Sequence, residues 1–143
     1  QEEVGLRGAA VAARSICPDI AVVLEATTAA DIPGSEGADR VCSLGSGAVI
    51  SFMDGRTIYD KELYDLAVQV CEQQQIPWQT KTKIAGGNDA GAIQNAGGGV
   101  RVLAVSVPCR YLHAPCSLIR LSDAEACEKI ASALIPAIQE AAL

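Results

Sequence analysis

The segment VRVLAVSV, residues 100–107, decides the fold class of this 143-residue chain. Its near-continuous run of β-branched and aliphatic side chains is typical of a strand that is buried on both faces of a sheet. Residues 20–24 and 48–53 form two shorter runs of the same kind, and residues 78–84 alternate in the manner of a strand. Because helical segments separate these strands, we predict an α/β fold with a mainly parallel, mixed sheet flanked by helices.

The segments between the strands carry helical signals. Residues 5–16 place apolar side chains at helical spacing, and residues 90–96 form a candidate short helix. Asp60 stands where it can cap a helix whose apolar residues recur at positions i, i+3, i+4 and i+7. Ser122 and Glu125 form an S-x-x-E capping box, which predicts the start of the last helix.

Length and composition fit one compact domain. Half of the residues are apolar and a fifth are charged, which excludes a disordered chain. The net charge of −6 and the lack of a Lys/Arg cluster argue against nucleic acid as a partner. No apolar run reaches the ~18 residues of a membrane span and no export signal precedes the first strand, so we expect a cytoplasmic protein with no membrane partner.

The six cysteines lack a C-x-x-C pair, and we expect them to be reduced and mostly buried. Cys109 and Cys116 bracket the single histidine, His113, but their spacing fits no closed zinc site. The glycine-rich residues 45–47 and 86–89 lack the spacing of phosphate-binding loops. Packing is therefore the favoured role of these cysteines, and nucleotide binding is not expected.

Four side chains are candidates for a site at one edge of the sheet. Glu2 and Glu3 would follow a strand that precedes this chain, Glu25 would end the run at residues 20–24, and His113 lies after residues 100–107. In open α/β sheets, ligands bind beyond the carboxyl ends of the strands. If the acidic pair is extended, one carboxylate can bind a cation while the other faces a reacting water. The pair also fits a solvated surface, and a lone histidine also fits a surface or hydrogen-bonded core position.

Five blocks of the sequence resemble a family of tetrahedral, self-compartmentalising aminopeptidases, which includes glutamyl and deblocking aminopeptidases once described as endoglucanases. The resemblance runs from Gln1 to about residue 142. The blocks are QEEVGLRGA (1–9), VVLEATTAADIPG (22–34), LGSGAVI (44–50), GGNDAGAIQ (86–94) and SVPCRYLHAP (106–115).

The resemblance implies a zinc-exopeptidase-like three-layer sandwich that hydrolyses N-terminal peptide bonds with the aid of two divalent cations, zinc or cobalt. Glu2 would be the general base, Glu3 and His113 would bind one metal, and Glu25 would bind the other. Asp89 would steady these ligands. Peptides would be the substrates, and the family implies a homo-oligomer, a tetrahedral dodecamer.

The sequence also departs from the family pattern. A further metal-binding histidine, a bridging aspartate and an inserted β domain would precede the acidic pair, so residues 1–143 correspond to the C-terminal portion of one catalytic domain. We therefore expect a piece of a longer enzyme that is inactive alone. Asn88 and Gln94 stand where the family usually has Thr and His, and Glu25 stands where many members have Asp. The alternatives are a non-catalytic packing or assembly lobe, and a related metal-dependent carboxypeptidase or deacylase.

Overall fold

The sheet has four strands in the order β1-β4-β2-β3. A computed structural model describes residues 1–143, apart from the side chain of Ala38. The strands are β1 (Ile20–Thr28), β2 (Ala48–Ile50), β3 (Trp78–Thr80) and β4 (Arg101–Cys109). β1 runs parallel to β4, and β2 runs parallel to β3 but antiparallel to β4. The predicted mixed, mainly parallel sheet is confirmed, although β2 and β3 are shorter than their sequence runs.

Four helices cover the two faces of this sheet. They are α1 (Arg7–Ile16), α2 (Lys61–Gln74), α3 (Ala90–Ile93) and α4 (Leu121–Glu140). Successive side chains of β4 point to opposite faces, as a strand dictates. Leu103 and Val105 belong to the core cluster that includes α2 and α4, whereas Val102 and Ala104 pack with residues of α1 and α3. The molecule is thus a three-layer α/β sandwich, as predicted.

The start of α2 agrees with the prediction made from the sequence, and the start of α4 does not. Asp60 caps α2, since its Oδ1 accepts a hydrogen bond from the amide of Leu63 at 3.0 Å. The predicted capping box of α4 is wrong, because the helix begins at Leu121 and Ser122 lies inside it with no capping hydrogen bond. The buried Asp123 has another role. Its carboxylate accepts from the amides of Gly45 and Gly47, which joins α4 to the loop before β2.

Gly47 allows the backbone just before β2 to lie close to the backbone just before β3. Its φ angle is 93°, and a Cβ atom built on it would lie 2.2 Å from the backbone carbon and oxygen of Pro77. Both the positive φ and the close approach require glycine. The amide of Ala48 then donates to the carbonyl oxygen of Pro77 at 3.2 Å, next to the first rung of the β2–β3 pairing.

All six cysteines are free thiols. Cys42, Cys71, Cys109 and Cys127 are buried, and Cys17 and Cys116 are exposed, as expected for mostly buried packing residues. None of the helices in the described chain is both long and apolar enough to cross a bilayer.

Candidate metal centre and its neighbouring cavity

An open cleft of about 320 Å³ lies beside the N-terminal turn. It combines two carboxylates, one imidazole and one guanidinium with a glycine-rich wall. The lining residues are Glu2, Glu3, Gly5, Leu6, Arg56, Gly86, Gly87 and His113. Glu2, Glu3 and His113 therefore line one cleft, and they are three of the four residues predicted to gather at the edge of the sheet.

His113 and Glu3 are in direct contact. The imidazole Nε2 lies 3.1 Å from Oε1 of Glu3, and the two side chains are 68% and 70% exposed. His113 has a φ angle of 67°, and it sits in the loop that follows β4. Backbone hydrogen bonds in both directions between Arg110 and Leu118 close this loop. The pair is accessible to a ligand from solvent and is held by a short, closed loop.

An ion pair ties the His113 loop to the rest of the domain. The Arg110 guanidinium donates from Nε and Nη2 to the two carboxylate oxygens of Asp31, at 2.7 and 2.9 Å. The Arg110 guanidinium holds the pKa of Asp31 below its usual value, with help from the amide of Leu44. Asp31 was not singled out by the sequence reasoning, although it lies in the second of the five blocks. Its role is to fix the base of the loop that carries the imidazole.

The acidic pair is not extended, which corrects the geometry expected from the sequence. Glu2–Val4 form a turn of 3₁₀ helix, and Gly5 and Leu6 follow in left-handed conformations with φ angles of 107° and 58°. A 3₁₀ helix has about 3.0 residues per turn, so neighbouring side chains point about 120° apart and do not alternate between two opposite faces. Buried Leu6 anchors the turn, so both glutamates face the same cleft.

Glu25 lies inside β1 and not at its end, since the strand continues to Thr28. It does not line the cleft of Glu3 and His113. It lines a smaller neighbouring cavity of about 50 Å³ that also contains Lys81. Gly86 and Gly87 line both cavities, so one glycine-rich segment forms a shared wall.

The carboxylate of Glu25 is half-buried and hydrogen-bonded. Its Oε1 accepts from Asn88 Nδ2 at 2.8 Å and from Ser106 Oγ at 3.2 Å. Burial raises the pKa of Glu25, and the hydrogen bond from Asn88 and the positive charge of Lys81 partly oppose that rise. The sequence reasoning missed Asn88 as a partner of Glu25, because its position in the GGNDAG block carries no local signal of what it contacts.

Asp89 has a buried carboxylate oxygen, Oδ1, without a hydrogen-bond partner among the described residues. The residue immediately precedes α3, and its side chain makes no capping hydrogen bond. Within the described part of the chain, no hydrogen bond connects it to Glu3, Glu25 or His113. An unpartnered buried oxygen of this kind is suited to a donor or cation supplied from outside the described residues.

The side chains present fit a divalent cation only in part. Carboxylate oxygen and imidazole nitrogen are suitable ligands for zinc and for similar divalent ions. Glu3 and His113 supply two such ligands at one point, but among the residues described here no three His, Cys, Asp or Glu side chains gather into one metal-binding group. Glu25 supplies a separate carboxylate, with Lys81 on the same cavity wall.

The fold and the site together define a three-layer α/β domain with a carboxylate–imidazole cleft at the rim of its sheet. The chain belongs to the M42 glutamyl aminopeptidase family, whose sequence model matches residues 1–130.

Relatives by sequence and by structure agree with this family. The chain is 34% identical over 136 residues to the lysyl aminopeptidase of Pyrococcus furiosus, covering 94% of this chain and 38% of that protein. The structure of an aminopeptidase from Desulfurococcus kamchatkensis is 34% identical and superposes with a TM-score of 0.91 over 94% of this chain and 39% of that one. The TET1 peptidase of Pyrococcus horikoshii is 32% identical with a TM-score of 0.70, covering 95% and 37% of the two chains. The chain thus spans less than two fifths of the length of these relatives.

Proposed function

We propose that this chain is the C-terminal portion, residues 1–143, of one catalytic domain of an aminopeptidase that removes N-terminal residues from peptides with two divalent cations. The observation that carries the proposal is the 3.1 Å contact between Glu3 and His113, with Glu2 lining the same cleft. Membership of the M42 family supports the same activity. The cavity next to this cleft contributes Glu25, a further carboxylate.

In this proposal Glu3 and His113 hold one cation and Glu25 holds the other, with zinc or cobalt suiting the mixed set of oxygen and nitrogen donors. When bound, the two cations polarise the scissile carbonyl group and make the attacking water more acidic. Asp89 would steady the site by accepting a hydrogen bond at its buried Oδ1 from a group of the complete enzyme, because that oxygen has no partner among the described residues. Arg56 lines the same cleft and gives the peptide one positive side chain to contact.

Glu2 transfers a proton from the attacking water to the leaving amide nitrogen. Its carboxylate accepts a proton from the attacking water as the water oxygen bonds to the carbonyl carbon. The same carboxyl group then donates that proton to the amide nitrogen as the C–N bond breaks, so the products are a free amino acid and a shortened peptide. The intermediate exposure of Glu2 allows this exchange, since a water can reach the group from the cleft.

Two further parts of the proposal concern assembly and location. The relative from Pyrococcus horikoshii is described as assembling into a tetrahedron or a large octahedral shell. We extend homo-oligomer formation to the complete form of this protein, and we expect it in the cytoplasm. The 143-residue chain alone is expected to be inactive, because its described residues gather only two protein ligands at any one point.

The experiment compares free-amine and N-acylated peptides as substrates of the complete enzyme loaded with zinc or cobalt, with bound metal counted by elemental analysis. Cleavage of free-amine peptides alone, with two bound metals, is the expected result. Cleavage of N-acylated peptides would instead indicate a deacylase or carboxypeptidase. A protein without activity and without bound metal would leave only a packing or assembly lobe.

A further inference from the structure

A directional chain of buried hydrogen bonds leads to the carboxylate of Glu25. Asn88, Tyr59 and Asp54 are only 1%, 3% and 4% exposed. Asn88 Nδ2 donates to Glu25 Oε1 and to the Tyr59 hydroxyl, both at 2.8 Å. The Tyr59 hydroxyl donates to Oδ2 of Asp54. Neither Tyr59 nor Asp54 lines the cleft or the small cavity.

The orientation of the Asn88 amide is fixed by the backbone. Its Oδ1 accepts from the amide of Ala90 at 2.8 Å. A backbone N–H can only donate, so the oxygen of the Asn88 amide must face Ala90 and the NH₂ group must face Glu25. The side chain therefore presents two donors on one side and cannot flip without losing this bond.

Asp54, at the other end of this series of hydrogen bonds, is also fixed by backbone amides. Oδ1 of Asp54 accepts from the amides of Arg56 and Thr57, both at 2.8 Å. Its second oxygen receives the Tyr59 hydroxyl proton, so the Tyr59 oxygen is left to accept from Asn88. Each member has one possible proton arrangement, and such a fully satisfied buried network is rigid.

The hydrogen bonds to Glu25 all reach one of its two carboxylate oxygens. The donors from Asn88 and Ser106 both reach Oε1, and in the described part of the chain Oε2 receives no hydrogen bond. With Oε1 held on two sides, rotation of the carboxylate is restricted, and Oε2 keeps a free lone pair. The carboxylate lines the small cavity, whose volume of about 50 Å³ is of the size needed for one ion or water.

We propose that Asn88 is a positioning residue, which fixes the carboxylate of Glu25 so that its second oxygen is presented to a divalent cation, with Tyr59 and Asp54 as its support. The cation-binding part of this inference rests on the proposed function. The alternative is that Asn88 serves only to fill the core and to satisfy the start of α3. The two roles differ in whether cation affinity changes when Asn88 is altered.

The test uses the complete enzyme, Co²⁺ alone, three single variants and a Glu25→Gln background. Asn88→Ala removes both donors, and Asn88→Asp keeps the shape and the acceptor for Ala90 but presents no donor to Glu25. Gln79→Ala is the matched control, because the Gln79 amide also joins two segments, through Ser43 and Gly47, and none of these hydrogen bonds involves Glu25. Calorimetry and the visible spectrum of Co²⁺ report binding, and urea denaturation reports stability.

We expect Asn88→Ala and Asn88→Asp to weaken the Co²⁺ binding that depends on Glu25 by about 10- to 100-fold, as is typical when a ligand loses its orienting partner. Gln79→Ala should lower stability and leave that affinity within about twofold. In a Glu25→Gln background, Asn88→Ala should have no further effect. Equal losses of affinity in the Asn88 and Gln79 variants would overturn the proposal.

A crystal structure of the Asn88→Ala variant separates this inference from the proposed function. If the unaltered complete enzyme shows no Co²⁺ binding through Glu25, the cation role in the proposed function fails. The position of Glu25 then decides the remaining question. A carboxylate that has turned away from Ser106 supports positioning by Asn88, and an unmoved carboxylate refutes it.

Discussion

The imidazole Nε2 of His113 lies 3.1 Å from Oε1 of Glu3, although the two residues are 110 positions apart in the sequence. One is held by the N-terminal turn and the other by the loop after β4. Both groups are accessible, so a cation can replace the direct contact by binding between them.

Removal of either partner is expected to weaken the same cation site. Glu3→Gln and His113→Ala should each weaken Co²⁺ binding by about tenfold or more, which corresponds to about 1.4 kcal/mol for one lost ligand. The double variant should be little worse than either single variant, since the two ligands act on one ion. Calorimetric titration measures this, with the exposed Glu128→Gln in α4 as the control. Two separate Co²⁺ binding steps, each weakened by only one of the two variants, would mean that the residues bind separate ions.

Glu2→Gln tests the division of roles within the acidic pair. In the complete enzyme, kcat should fall by about 10²- to 10⁴-fold, because the amide cannot accept the proton of the attacking water. Bound metal should stay nearly unchanged, as measured by elemental analysis alongside steady-state kinetics. Parallel loss of activity and metal would show that Glu2 is a ligand and that Glu3 is the base.

Gly47→Ala should destabilise the fold by about 3 kcal/mol or more. The new methyl group would meet the Pro77 backbone at 2.2 Å, and the φ angle of 93° is unfavourable for alanine. Urea denaturation measures the loss. Gly98→Ala is the control, because no atom lies within 4 Å of its built Cβ and its φ is not in the left-handed range. Its free energy of unfolding should change by less than about 0.5 kcal/mol.

Asp60→Asn should reveal a pH-dependent ion pair. Arg101 donates to both carboxylate oxygens of Asp60 and thereby lowers its pKa in the folded state. The resulting stabilisation, about 1 kcal/mol, is present above the unfolded pKa of about 4 and is lost as the pH falls through the lower folded value. Asparagine still caps α2, so the variant isolates the charge.

Urea denaturation of the unaltered chain and of Asp60→Asn, from pH 7 down to pH 2, checks this expectation. The two stability curves should approach each other as the pH falls below about 4, and should meet only below the lowered pKa of Asp60 in the folded state, where its carboxylate becomes neutral. A constant difference across that range would show that the ion pair with Arg101 makes no contribution.

Thiol reactivity should divide the cysteines into two classes. Cys17 and Cys116 are exposed and should react with a thiol reagent at once in the folded protein. Burial raises the pKa of Cys42 to about 12 and that of Cys71 to about 11, so few of these thiols are ionised at neutral pH. Mass spectrometry after brief alkylation at pH 7.5 should show two modified sites. Modification of Cys42 or Cys71 without denaturant would contradict the packing described here.

Much of the fold could be predicted because its signals are local. The apolar run at residues 100–107 became β4, and Asp60 caps α2 as expected. Ser122 failed as a cap because α4 begins at Leu121 with Arg120 as its N-cap, which places Ser122 within the first turn. Asp123, one position later, is buried against the loop at Gly45 and Gly47, a contact that no local pattern could indicate.

For the candidate site, the roles of the named residues stay predictions, and part of the geometry expected for them was wrong. The order of the five blocks pointed to Glu2, Glu3, Glu25, Asp89 and His113. The acidic pair was expected to be extended, but the left-handed Gly5 and Leu6 turn the chain back directly after it. Glu25 was expected at a strand end, but pairing of β1 with β4 continues to Thr28 and Cys109.

By itself, the sequence determined the α/β class, the apolar layers and the types of side chain available for chemistry, because periodicity and residue type are properties of neighbours along the chain. Only the tertiary structure decided that His113 meets Glu3, and that Asn88 lies against Glu25. Asn88 and Glu25 are also two of the positions at which the sequence was expected to depart from the family pattern. Their contact depends on how β1 and the segment before α3 are brought together by the sheet and its core, which is a sum of many distant packing interactions.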